Sequence, residues 1–235
     1  MDYKTLSSQA TIKGVNLKDR IVEGYGSIFD NLDSDGDVIR KGAYKKTLQE
    51  NGITGKNRIP HVWQHDIKQP LGKFRELYED NVGLAFKSFI PDTRLGNDVL
   101  NLYDAGIIKE HSVGFEKIKF NRIEKNGYEI KEIKLWEVSS VTLAANELAG
   151  MKNLKGLERV KYLDEEIALL SKAIKSGSFT DDTFVFLADK LDMVQKQYKD
   201  LFETLKSSQD TYKPSYKSII DKYTLKATKF RNYGS

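Results

Sequence analysis

The hydrophobic period of this chain changes near residue 150, and that change limits the architectures open to it. Downstream, Leu154, Leu157, Val160, Leu163, Ile167, Leu170 and Ile174 recur at three-four spacing, and Phe184, Leu187, Leu191, Val194, Tyr198, Leu201 and Leu205 do the same. Such stripes line one face of an amphipathic helix. Between them the segment SGSFTDD interrupts the first helix and offers Thr180 as a cap for the second. An antiparallel helical hairpin, or a coiled coil with another chain, is the expectation. Upstream the period is two, and 14 of 17 glycines and three of four prolines lie there. Two differently built regions, 1–150 and 151–235, therefore meet at Gly150.

The first region reads as short strands with two short helices. Residues 20–29 form a strand, followed by the polar turn DNLDSDGD and a short helix over 43–50. Apolar runs at 59–63, 71–77 and 82–90, punctuated by Pro60, Pro70 and Pro91, predict further strands. Leu95, Val99, Leu102 and Tyr103 fall at helical spacing, with Gly106 placed to end that helix. Runs at 107–120 and 128–143 flank Asn126-Gly127, a dipeptide suited to a tight hairpin turn. The class is α+β with β dominant.

Composition excludes several kinds of chemistry. The 235 residues contain no cysteine and three histidines, His61, His65 and His111. Disulfides, thiol nucleophiles and cysteine-held metals are absent, and a reducing, intracellular setting is expected. The start MDYKTLSSQATIKG lacks the form of a signal peptide, and no run approaches the ~20 apolar residues that span a bilayer. The net charge of +4 belongs wholly to residues 151–235, so the neutral first region presents no basic face for nucleic acid. The last thirty residues, basic and weakly periodic, read as a solvated tail.

Three constellations bear on chemistry. Asn31, Asp33, Asp35 and Gly36 imitate the start of a calcium loop, but Gly42 stands where the bidentate glutamate belongs. His61 and His65 are four apart, which on a strand separates them by ~13 Å, too far for one metal ion. Neither metal site is expected. Ser112 lies in IIKEHSVGFE, beside a small glycine, and Glu137 is a lone carboxylate within the apolar strand LWEVSSV. With a histidine on another strand they complete a nucleophile, a base and an orienting acid.

The strings EGYGSIFDNLDSDGDVIRKGAY, HVWQHDIKQPLGKF, GLAFKSFI, AGIIKEHSVGF and LWEVSSVTLAANELA, in that order, resemble the phage prohead protease family, serine peptidases of capsid maturation similar in fold to the herpesvirus assemblins. The resemblance covers roughly residues 10–150. It implies a β-rich, barrel-like protease domain with short helices; the helical extension from 151 with its basic tail lies beyond the resemblance and rests on the periodicity above. It carries the base to His65 of the WQHD motif and the nucleophile to Ser112 of the HSVGF motif. Assemblins place a second histidine on the strand after the serine; Glu137 occupies that strand here, with Asp66 as the rival orienter. His61 and His111 are left as structural residues, and the oxyanion donors are expected within 143–149.

The implied activity is cleavage of scaffold segments of capsid proteins, and of the protease itself, inside an immature shell in the host cytoplasm. No cofactor or metal is called for. The major capsid protein and its scaffold segments are the expected partners, nucleic acid and membrane are not, and the helices could serve self-association or dock the enzyme on capsid protein. The reading from a different class is a noncatalytic assembly factor whose working surface is the helical region. A metal-dependent hydrolase using His61, His65 and an aspartate is the remaining alternative.

Overall fold

The computed structural model describes residues 4–6, 12–32, 36–123, 127–141 and 157–207. Its strands are β1 (Lys4–Leu6), β2 (Ile12–Asn16), β3 (Ile21–Ile28), β4 (Val38–Ile39), β5 (His61–Trp63), β6 (Asp66–Glu79), β7 (Gly83–Phe89), β8 (Glu110–Arg122) and β9 (Tyr128–Val141). The helices are α1 (Lys45–Asn51), α2 (Arg94–Asp104), α3 (Leu157–Ser176) and α4 (Asp181–Ser207). All the strands join one sheet, in the order β1-β8-β9-β5-β6-β7-β3-β2, with β4 beside the start of β9. Pairing is antiparallel except where β4 and β5 run parallel to β9.

Local chemistry accounts for the elements. The Thr93 hydroxyl accepts from the Gly96 N–H at the start of α2, and Gly106, at φ +70°, sends its N–H to the Tyr103 carbonyl beyond the end of that helix. In β6 the buried residues are Leu71, Phe74 and Leu77, three apart where an even strand would bury every second. A register shift between Phe74 and Glu76 resets the alternation and makes that spacing workable. β8 and β9 are the expected hairpin; residues 124–126 of its turn lie outside the described residues.

The sheet bends back on itself. A Cβ placed on Gly26 of β3 would lie 2.9 Å from Val138 Cγ1 and 3.1 Å from Val113 Cγ1, so the absence of a side chain lets β3 cross the β8–β9 pair closely. The α+β, β-rich class holds. The strand path stays open among the described residues, however, and the barrel-like expectation is to that extent replaced by a folded, unclosed sheet.

The helical hairpin forms within the chain. Val160, Leu163, Leu170, Leu187 and Val194 of the two stripes are buried, whereas Leu154 lies outside the described residues. Thr180 caps α4, its Oγ1 accepting from Thr183 N–H. The hairpin is docked against the sheet region. Thr180 donates through N and Oγ1 to buried Asp98 of α2 at 2.9 and 2.6 Å, Lys109 pairs with Glu166 at 2.7 Å, and Phe186 meets Trp63 edge-on at 5.7 Å.

Candidate active site

Alternation along β8 and β9 separates two sets of polar residues onto opposite faces. Ser112 pairs across the ladder with Ser139 and Gly114 with Glu137, so Ser112, Ser139 and Glu137 share one face. His111 pairs with Ser140 and Val113 with Val138, and these look inward toward β3.

The outward set meets His65. The ring is carried on the turn from β5 to β6, where Trp63 pairs with Asp66 and both central residues, Gln64 (φ 51°) and His65 (φ 61°), are left-handed. Two consecutive positive φ angles are the signature of the turn that matches strand twist in a two-residue hairpin. The turn is anchored to β9: Gln64 N–H donates to the Ser140 carbonyl at 3.1 Å, and His65 N–H to Ser139 Oγ at 3.1 Å. From there His65 Nδ1 reaches Glu137 Oε1 at 2.7 Å. The other carboxylate oxygen, Oε2, accepts from Ser139 Oγ at 2.6 Å.

The structure therefore brings His65 and Glu137 into contact and sets Ser112 across from Ser139 on the same face. Cβ atoms of directly opposed residues lie about 4.5–5.5 Å apart. His65 is not on a strand, as alternation suggested, but at a turn. Asp66, the rival acid, accepts from Lys68 N–H at 2.9 Å and Gln69 Nε2 at 3.2 Å, and the contact made by His65 Nδ1 is with Glu137. Burial is uneven. The His65 side chain keeps 22% of its surface exposed, whereas Ser112 has 0%, Ser139 0% and Glu137 1%.

No motif singles out Ser139, although alternation in LWEVSSV carries the signal: it lies two residues from Glu137 and so on the same face. The inward face holds a second polar set. His61 bonds Ser88 Oγ through Nδ1 and Ser140 Oγ through Nε2, both at 2.9 Å. The Tyr103 hydroxyl joins Ser140 Oγ at 2.5 Å and His111 Nε2 at 2.9 Å. Burial pushes both histidines down to about 3, so they stand neutral. Their structural reading agrees with this geometry.

A metal shared by His61 and His65 is incompatible with the arrangement. Both His61 nitrogens are bonded to serines in the interior, and His65 lies on the opposite face with Nδ1 on Glu137. Among the described residues no group of three histidine, aspartate or glutamate side chains could hold an ion. Asp33 and Asp35 of the calcium-like string, and the 143–149 segment expected to supply oxyanion donors, lie outside the described residues.

Comparison with known proteins decides the family. Residues 8–162 match the family model described as "Caudovirus prohead serine protease". This chain belongs to that family. The prohead protease of Enterobacteria phage HK97 is 34% identical over 154 residues, which cover 63% of this chain and 67% of that protein. The capsid polyprotein of Pseudomonas phage PAJU2 is 23% identical over 165 residues, covering 67% of this chain but 23% of the polyprotein. Among solved structures, the bacteriophage T4 capsid assembly protease is similar with a TM-score of 0.48 and 12% identity, over 60% of this chain and 96% of that one. The family match ends at residue 162, within α3.

Proposed function

We propose that this prohead protease is a serine endopeptidase that cleaves scaffold segments of capsid proteins, and itself, during prohead maturation, with Ser112 as nucleophile, His65 as base and Glu137 as orienting acid. One observation carries the reading: the 2.7 Å contact between His65 Nδ1 and the buried Glu137 carboxylate. With its Nδ1 proton held by Glu137, the imidazole presents Nε2 as its basic nitrogen. In the proposed reaction the Ser112 hydroxyl attacks the peptide carbonyl as its proton passes to Nε2. Collapse of the tetrahedral adduct breaks the C–N bond, and the imidazolium returns that proton to the leaving amine. Water, deprotonated by the same nitrogen, then hydrolyses the acyl-serine. Glu137 orients the ring and stabilises the imidazolium throughout.

Kinship supports the substrate class: the relatives by sequence are a prohead protease and a capsid polyprotein. The immature capsid is accordingly the proposed site of action, and none of the described helices is long and apolar enough to cross a membrane. The helical hairpin is proposed to carry the enzyme to capsid protein through its outer surface, where Val185 and Met193 are exposed.

The complete burial of Ser112 favours a second reading, a noncatalytic assembly factor, because a substrate carbonyl reaches the hydroxyl only after local displacement of what covers it. Ser112→Ala decides between them. Coexpressed with its capsid protein, the variant should leave the cleavable segment intact while the unaltered chain removes it. Cleavage by the variant overturns the proposed chemistry.

A further inference from the structure

We infer that Ser139 is a positioning residue whose single hydroxyl locks the Glu137 carboxylate to the turn that carries His65, directly opposite Ser112; the inference rests on the peptidase reading above. A hydroxyl has one proton to give and two lone pairs to receive with. Ser139 uses the proton on Glu137 Oε2 at 2.6 Å and a lone pair on His65 N–H at 3.1 Å. Glu137 returns to the same residue through its other oxygen, at His65 Nδ1. The result is a closed loop of three hydrogen bonds joining backbone and ring of His65 to two side chains of β9.

The loop matters because the turn is strained. Left-handed backbone at two successive residues with side chains, Gln64 and His65, persists only where the surroundings over-determine it. Two contacts from β9 do this, the Ser140 carbonyl on Gln64 N–H and the Ser139 hydroxyl on His65 N–H. The first is backbone and survives substitution; the second is the one a side chain supplies. Removing the hydroxyl leaves a buried carboxylate oxygen and the base's own N–H without this partner together. The carboxylate that holds the imidazole then loses its own anchor, and the turn beneath the ring loses its side-chain tie to β9. The side chain of Ser140, the next residue, faces the interior network, so only its carbonyl touches the turn.

The test uses the full chain and a fluorophosphonate that labels an activated serine without requiring a peptide substrate. Ser139→Ala should slow labelling of Ser112 by about 10–100-fold, the loss typical when a group that orients a functional side chain from behind is removed. Ser139→Thr, which keeps the hydroxyl, should restore most of it. A second readout is independent of activity: in a Ser112→Ala background, the downfield imidazole Nδ1–H resonance of His65 should shift or broaden when Ser139 becomes Ala. Ser139→Cys, close in volume but a weak donor, serves if the alanine variant fails to fold, and should behave as alanine does. Lower stability with unchanged labelling and an unmoved resonance overturns the inference while leaving the peptidase reading intact. Absence of labelling in the unaltered chain overturns that reading instead, and the resonance still decides the role of Ser139.

Discussion

A carboxylate as deeply buried as Glu137 stands where donors meet it, and His65 Nδ1 and Ser139 Oγ supply one to each oxygen. Glu137→Gln keeps the shape and reverses half of that chemistry: the amide can accept from His65 at its oxygen only by turning its NH2 toward Ser139. Either way the imidazole tautomer is no longer set. Capsid-protein cleavage should fall by about 10⁴, as when the acid of a serine triad becomes its amide, with circular dichroism unchanged. Glu137 was legible beforehand because a single charge in an apolar alternating run demands a partner. Ser139 was not singled out, since it stands beside Ser140 in sequence and only the pleat, which sends one outward and the other inward, tells the two apart. The seat of His65 was hidden for a different reason. The motif WQHD contains neither glycine nor asparagine, so nothing local announces a turn at φ 51° and 61°; tertiary bonds from β9 impose it.

At the scale of elements, the two folded halves of the sheet touch where Gly26 faces Val113 and Val138. Both valines sit one residue from a site residue, Val113 after Ser112 and Val138 between Glu137 and Ser139. Gly26→Ala should therefore destabilise the fold by about 1–3 kcal/mol, the usual cost of overpacking, read as a lower urea midpoint, and cleavage should weaken with it. The helices form a comparable joint. Phe186 packs on Trp63, two residues before His65, so Phe186→Ala in a Trp136→Phe background should change Trp63 fluorescence and cost about 1 kcal/mol beyond the lost area. Helices and the β8–β9 hairpin were readable from period and turn residues because each is a local pattern. The pairing of β5 with β9, parallel and distant in sequence, was not, because no local signal records which strands become neighbours.

The two faces of the folded sheet close over a neutral polar network of His61, Ser88, Tyr103, His111 and Ser140. His61 and His111 are pushed by burial to about 3 in the folded chain, against 6.5 for the free side chain. Between those values the unfolded chain binds more protons than the folded one, so stability is full above about pH 6.5 and declines as pH falls toward 3. Each histidine contributes a slope of about 1.4 kcal/mol per pH unit within that window. Urea midpoints measured from pH 7 down to 4.5 should drop steadily, and His111→Phe, which keeps an aromatic ring against Phe86, should flatten the decline. A pH-independent midpoint would contradict the neutral interior.

The outermost strand of this sheet has its own bearing on how a polypeptide could approach. Lys4–Leu6 runs antiparallel beside Val113–Phe115, immediately beyond Ser112, so the free margin of the strand carrying the proposed nucleophile is already taken by the chain itself. Any extended guest that sought backbone bonds at Val113–Phe115 would have to evict those three residues, gaining each rung of the ladder as the host relinquished it.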